Sequence, residues 1–138
     1  MKDENWESLF FKYLDKVKNK KFSWKNWNCC NFVDQYISSV SDFSFIPNKT
    51  DWNNKKTALE AIRKHGDTFP DAVTSVMKQQ NIEEINKNFI STGDIVLFKE
   101  KEHLLGVCDG RQVIAVSDDG LVTKPMSIAE KVWRIPNV

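Results

Sequence analysis

The sequence predicts an α+β domain: N-terminal helices packed on a small C-terminal antiparallel sheet. Two observations carry that reading. Up to Met77 the apolar residues recur at helical spacing, and from Gly93 onward short apolar runs alternate with turn signals. Helices first and strands afterwards is the α+β order. A third observation, that no Pro-, Gly- or Ser-rich linker separates the halves, keeps residues 1–138 as a single domain.

Glu4 to Asn19 reads as the first helix. Trp6, Leu9, Phe10, Tyr13, Leu14 and Val17 form one stripe, with Lys and Asp on the other face. Lys20 to Asn28 is a loop. A second helix starts at Cys29 with Asn28 as its cap, and Phe32, Val33, Tyr36, Ile37 and Val40 face inward until it ends near Ser38 to Ser41. Asp42 to Lys49 is irregular, since Pro47 disfavours helix before it. Thr50 or Asp51 caps a third helix, Trp52 to Lys64, with Ala58, Leu59 and Ile62 inward and Gly66 as its stop. His65 at that end is read as structural. Thr68 caps a fourth helix with Pro70 in its first turn and Ala72, Val73, Val76 and Met77 buried. The connector Lys78 to Asn88 holds Ile82 and Ile85 in one short strand.

The sheet follows in short pieces. Ile95 to Phe98 and Leu104 to Cys108 are strands, and Asp109-Gly110 is a hairpin turn leading into Gln112 to Val116. Asp119-Gly120 turns the chain again before Leu121 and Val122. Pro125 to Lys131 holds one helical turn, and Val132 to Ile135 is the last strand.

Composition narrows the function. A chain of 138 residues with 41% apolar content, nine Phe and five Trp builds one core of its own. A net charge of +1 gives no global attraction for nucleic acid or an anionic membrane, Arg is scarce, and the run Lys16 to Lys25 is read as a solvated helix end. Three cysteines, two of them adjacent, make no disulfide framework and imply a reducing compartment. The start Met-Lys-Asp-Glu-Asn lacks a signal-peptide core, and no apolar run approaches membrane-spanning length. The expectation is a soluble protein made in the cytoplasm, which can later enter a particle.

The segment Phe22 to Tyr36 carries the chemistry. Cys29 sits where a loop bearing Trp24 and Trp27 runs into a helix. A thiol in a first helical turn meets unpaired backbone N–H groups and the positive end of the helix dipole, both of which favour the thiolate a nucleophile needs. The alternative is that Cys29 and Cys30 are small core residues. Trp24, Trp27 and Cys30 are candidate binding residues at the pocket, although such tryptophans also serve simply to cover a helix start. A metal site of Cys29, Cys30, Cys108 and His103 is disfavoured: adjacent cysteines chelate one zinc poorly, and there is no Cys-x-x-Cys. No cofactor is expected.

Two pieces resemble the NlpC-type cell-wall peptidases, the compact bacterial version of the papain-like fold. Asn28-Cys-Cys-Asn-Phe-Val33 is similar to their Asp-Cys-Ser-Gly-Phe-Val segment. Gly93-Asp-Ile-Val-Leu-Phe98, then Gly106-Val107 and Asp109-Gly110, are similar to their Gly-Asp strand and His-Val-Gly-Ile hairpin. Over nearly the whole chain the order Trp24, Trp27, Cys29, Gly93-Asp94, Gly120-Leu121 and Trp133-Arg-Ile135 resembles an uncharacterised family of tailed phages and prophages, often encoded near tail genes and related to the NlpC group. The resemblance implies a papain-like fold with Cys29 as nucleophile. It also implies either phage tail or virion proteins as partners or a cell-wall peptide as substrate.

The chain departs from the peptidase pattern at the base. The histidine that opens the second strand falls on Leu104, while His103 lies one residue earlier, and one step along a strand turns a side chain to the other face. A bulge at Glu102 to Leu104 would return His103 to the pocket. The polar residue that orients the base has only Ser117 to fill it. Asp34 and Asp94 are further polar candidates. Two functions follow: a virion or tail-associated protein that keeps the fold with degenerate catalysis, or an active cysteine peptidase or amidase with Cys29 as nucleophile, His103 as base and an oxyanion hole from the backbone N–H groups of Cys29 and Cys30.

Overall fold

Residues 2–23, 27–41, 60, 64 and 66–136 are described by the computed structural model. Among them α1 spans Trp6–Val17, α2 Cys29–Val40 and α3 Phe69–Gln79. The strands are β1 Glu83–Ile85, β2 Ile95–Lys99, β3 His103–Cys108, β4 Gln112–Ser117, β5 Gly120–Pro125 and β6 Lys131–Arg134. They form one antiparallel sheet in the order β1-β6-β2-β3-β4-β5. Short 3-10 turns at Lys87–Phe89 and Met126–Ile128 join the strands at its edges. The α+β class and the connector strand are as expected, and the sheet is longer at β5. The irregular stretch Asp42 to Lys49, the helix expected over Trp52 to Lys64 and His65 lie outside the described residues, apart from Glu60 and Lys64.

The central strands β2, β3 and β4 are buried on both faces, which is why β2 reads Ile-Val-Leu-Phe without polar interruption. Alternation sends Ile95, Leu97, Leu105, Val107, Ile114, Val116 and Trp133 toward the helices, where they meet Phe10, Phe32, Val33, Tyr36 and Ile37. Val96, Phe98, Cys108, Val113, Ala115 and Val132 form a second core on the opposite side, against which Ile90, Met126 and Ile128 pack. The helical layer is tied by aromatic rings, with Phe10 edge-on to Tyr36 at 4.9 Å and Tyr13 stacked near Phe32 at 5.8 Å. Both tyrosine hydroxyls stay satisfied in this interior: Tyr13 donates to the Phe32 carbonyl and Tyr36 to the Gly93 carbonyl, each at 2.7 Å.

The Gly93-Asp94 and Trp133-Arg134 motifs are two halves of one lock. Gly93 has φ +86°, and a Cβ there would run into the Trp6 ring. Asp94 is fully buried and accepts from Arg134 through both oxygens, at 2.9 and 2.8 Å, and from the Ser91 N–H at 2.9 Å. The same guanidinium donates to the Phe89 carbonyl at 3.0 Å and to Ser91 Oγ at 2.9 Å. Asp94 is thus a structural anchor, far from the role of a polar partner to Cys29. Residues 2 and 136 are tied together close by: Lys2 donates its N–H to the Pro136 carbonyl at 2.8 Å, and its ammonium lies 3.9 Å from the centre of the Trp6 ring.

Candidate active site

Cys29 is the first residue of α2, and the local sequence fixes it there. Asn28 caps the helix, its Oδ1 accepting from Cys30 N–H at 2.9 Å and Asn31 N–H at 3.1 Å. Asn31 returns the bond, its Oδ1 accepting from the Asn28 N–H at 3.0 Å, which completes a capping box. The Cys30 N–H expected in the oxyanion hole thus also serves the cap.

The sheet supplies the other wall. Pairing of β3 with β4 runs from Cys108↔Val113 to Gly106↔Ala115 and stops there, although β3 begins at His103 and β4 continues to Ser117. At the last pair the strands are pinched together: a Cβ on Gly106 would stand 2.5 Å from the Ile114 carbonyl oxygen. Beyond it they part. A cleft of about 320 Å³ opens between them, lined by Phe22, Asn28, Cys29, Leu104, Val116 and Ser117, and rimmed by Glu100 to Glu102 and Asp118-Asp119.

The gap frees a donor. Cys108 gives its N–H to the Asp94 carbonyl at 2.9 Å, so even positions of β3 bond to β2 and odd ones face β4. Leu105 is the first odd position past the last pair, and its backbone N–H is one of the groups that hold the Cys29 thiol down. The Cys29 thiol is held below its ordinary value, first by a hydrogen bond from the Cys30 thiol and then, against the cost of burial, by the N–H groups of Leu105, Cys30 and Cys29. The Cys30 thiol is pushed well up by that same bond and by burial, so it keeps its proton. A lowered thiol in the first turn of a helix is a candidate nucleophile.

His103 is not brought to Cys29. Its Nε2 lies 3.2 Å from Glu130 Oε1, a pair that reaches across β2, and the imidazole does not line the cleft. Leu104 and Ser117 do line it. Trp27 is buried edge-on against Phe32 at 6.0 Å, with Lys20 Nζ 4.2 Å from the centre of its ring, and it does not line the cleft. It covers the helix start. Trp24 lies outside the described residues. Cys30 is buried beside Cys29, and Asp34 is fully buried one turn further on.

A family model described as a domain of unknown function, DUF6950, matches residues 1–135. The chain belongs to the DUF6950 family. No curated protein matches the sequence. The match takes in both walls of the cleft, the capped Cys29 on α2 and the parted ends of β3 and β4, together with the Asp94–Arg134 lock beneath them. Among the described residues of this DUF6950 domain no group of His, Cys, Asp and Glu is arranged to hold a metal ion. Among those residues, too, no helix is long and apolar enough to cross a membrane.

The residues that sequence reasoning missed are those set by register. Neither the Leu105 N–H nor the acidic rim carries a motif, and only the paired strands show where the ladder ends. The Asn28-x-x-Asn31 spacing, in contrast, was a readable signal for the capping box.

Proposed function

We propose that this DUF6950 domain is a papain-like, NlpC-type fold belonging to a phage or prophage protein of the virion or tail. In this reading it has kept the cysteine nucleophile and lost the apparatus for hydrolysing amides. The observation that carries the reading is the cleft lining. Cys29 shares it with Leu104 and Ser117, while His103 is engaged with Glu130. Loss of a positioned acid–base group removes about 10²- to 10⁴-fold of rate. The phage and tail setting, and passage from host cytoplasm to particle, rest on the ordered motifs from Trp24 to Ile135 and on the resemblance they carry.

The alternative, an active peptidoglycan endopeptidase or amidase using Cys29 and His103, draws on one observation: the thiol is lowered and lies at an open cleft. Alkylation of Cys29 against pH, in a Cys30→Ser, Cys108→Ser protein with and without His103→Ala, separates the two. The degenerate reading expects a midpoint below that of a free thiol, unmoved by His103→Ala, and no stem peptide released from purified peptidoglycan. An upward shift on removing His103, accompanied by peptide release, would establish the hydrolase instead.

A further inference from the structure

We propose that the substrate class accepted at this cleft is an acyl thioester, and that Cys29 takes the acyl group and holds it. The inference deepens the reading of Cys29 as a retained nucleophile and rests on it.

The argument is about the leaving group. An amide expels an amine only if the nitrogen is protonated as the bond breaks, so amide cleavage needs a proton donor at the scissile bond. A thioester expels a thiolate, which leaves with its electron pair and needs no proton. In the exchange the Cys29 sulfur attacks the carbonyl carbon and a new C–S bond forms. The tetrahedral intermediate collapses, the old C–S bond breaks, and one thiolate has replaced another with no net proton transfer. Among the described residues, the titratable side chains lining the cleft are Cys29, Glu100, Lys101, Glu102, Asp118 and Asp119. Imidazole, the side chain whose ordinary range lets it both take and give a proton near neutral pH, is not among them.

The rest of the cleft fits an acyl group. Phe22, Leu104 and Val116 give it apolar walls beside the sulfur, and about 320 Å³ has room for roughly ten heavy atoms at about 30 Å³ each. The Leu105 N–H, which helps to hold the Cys29 thiol down, is a candidate donor for an oxygen carried on a carbon bonded to that sulfur. Hydrolysis of the acyl group requires a base to activate water. With Leu104 at the position of that base, the thioester on Cys29 persists until another thiol removes it.

The test uses the full chain, with octanoyl-N-acetylcysteamine as the thioester probe and octanoyl p-nitroanilide as the amide, read by intact mass and by mapping of the modified residue. The expected result is one octanoyl group per chain on Cys29 from the thioester, absent in Cys29→Ser. It should form roughly tenfold or more faster than on free N-acetylcysteine at pH 7, with no anilide cleaved. If iodoacetamide labels Cys29 while the thioester acylates it no faster than the free thiol, the inference is overturned and the nucleophile stands. If neither reagent reaches Cys29, the retained-nucleophile reading falls too. Anilide turnover would overturn both the leaving-group argument and the degenerate assignment.

Discussion

At the scale of single residues, the proposed loss of amide chemistry turns on the side chain at position 104. Leu104 lines the cleft in which Cys29 lies, so a Leu104→His substitution places an imidazole on the same wall without altering the strand pairing of Phe98 with residue 104. The expected outcome is conversion of stoichiometric acylation into slow turnover, measured as continuous release of thiol from the thioester probe. A rate gain of about 10²-fold or more over the parent is the scale that acid–base assistance supplies. His103→Ala leaves both acylation and turnover as they were. The cap is equally local. Asn28→Ala removes the acceptor for two N–H groups and should lower stability by about 1 kcal/mol, measured by urea unfolding. It should also slow alkylation of Cys29 by loosening the first turn.

At the scale of elements, the Asp94–Arg134 pair joins β2 to β6 and to the loop before it, and its two members are not equivalent. Asp94 is fully buried, whereas the Arg134 side chain is 36% exposed. Arg134→Ala strands a carboxylate away from water, at about 3–5 kcal/mol for a broken buried pair. Asp94→Ala leaves a guanidinium that still has the Phe89 carbonyl, Ser91 Oγ and solvent, and should cost less. Denaturant midpoints of the two variants give the order directly. Element boundaries were legible because their signals are local: the α1 stripe, the Asn28 and Thr68 caps, the Asp109-Gly110 turn. The lock itself was not, since residues 94 and 134 are distant in sequence and only the Ile95↔Trp133 register brings them together. The same holds for the cleft. Cys29 was readable from its place before a helical stripe, but where β3 and β4 part depends on a pairing that no short motif encodes.

At the scale of the whole molecule, the chain's two tyrosines report on the fold as a unit. Both hydroxyls are held well above their ordinary value near 10, chiefly by burial, with Asp34 adding to the effect at Tyr13 and Asp94 at Tyr36. A folded-state value raised above the unfolded one gives stability that is complete below about pH 10 and is lost as the pH rises further. Tyrosinate absorbance should therefore appear only together with loss of helical circular dichroism, in one transition. Earlier ionisation of either ring would show that the aromatic layer between α1, α2 and Gly93 is open to water.

The bond from Lys2 N–H to the Pro136 carbonyl, 2.8 Å long, has a consequence for how the domain tolerates rewiring. Two backbone points that close can be bridged by a few residues without strain, so the segment 2–136 can be joined into a ring, and that ring reopened at the Asp109-Gly110 hairpin as a circular permutant. Closing a loop of about 100 residues removes roughly 4.7 kcal/mol of chain entropy from the unfolded ensemble. A cyclised chain should melt higher than its linear parent by most of that margin, with the Cys29 cleft, which lies on other segments, unchanged in its reactivity.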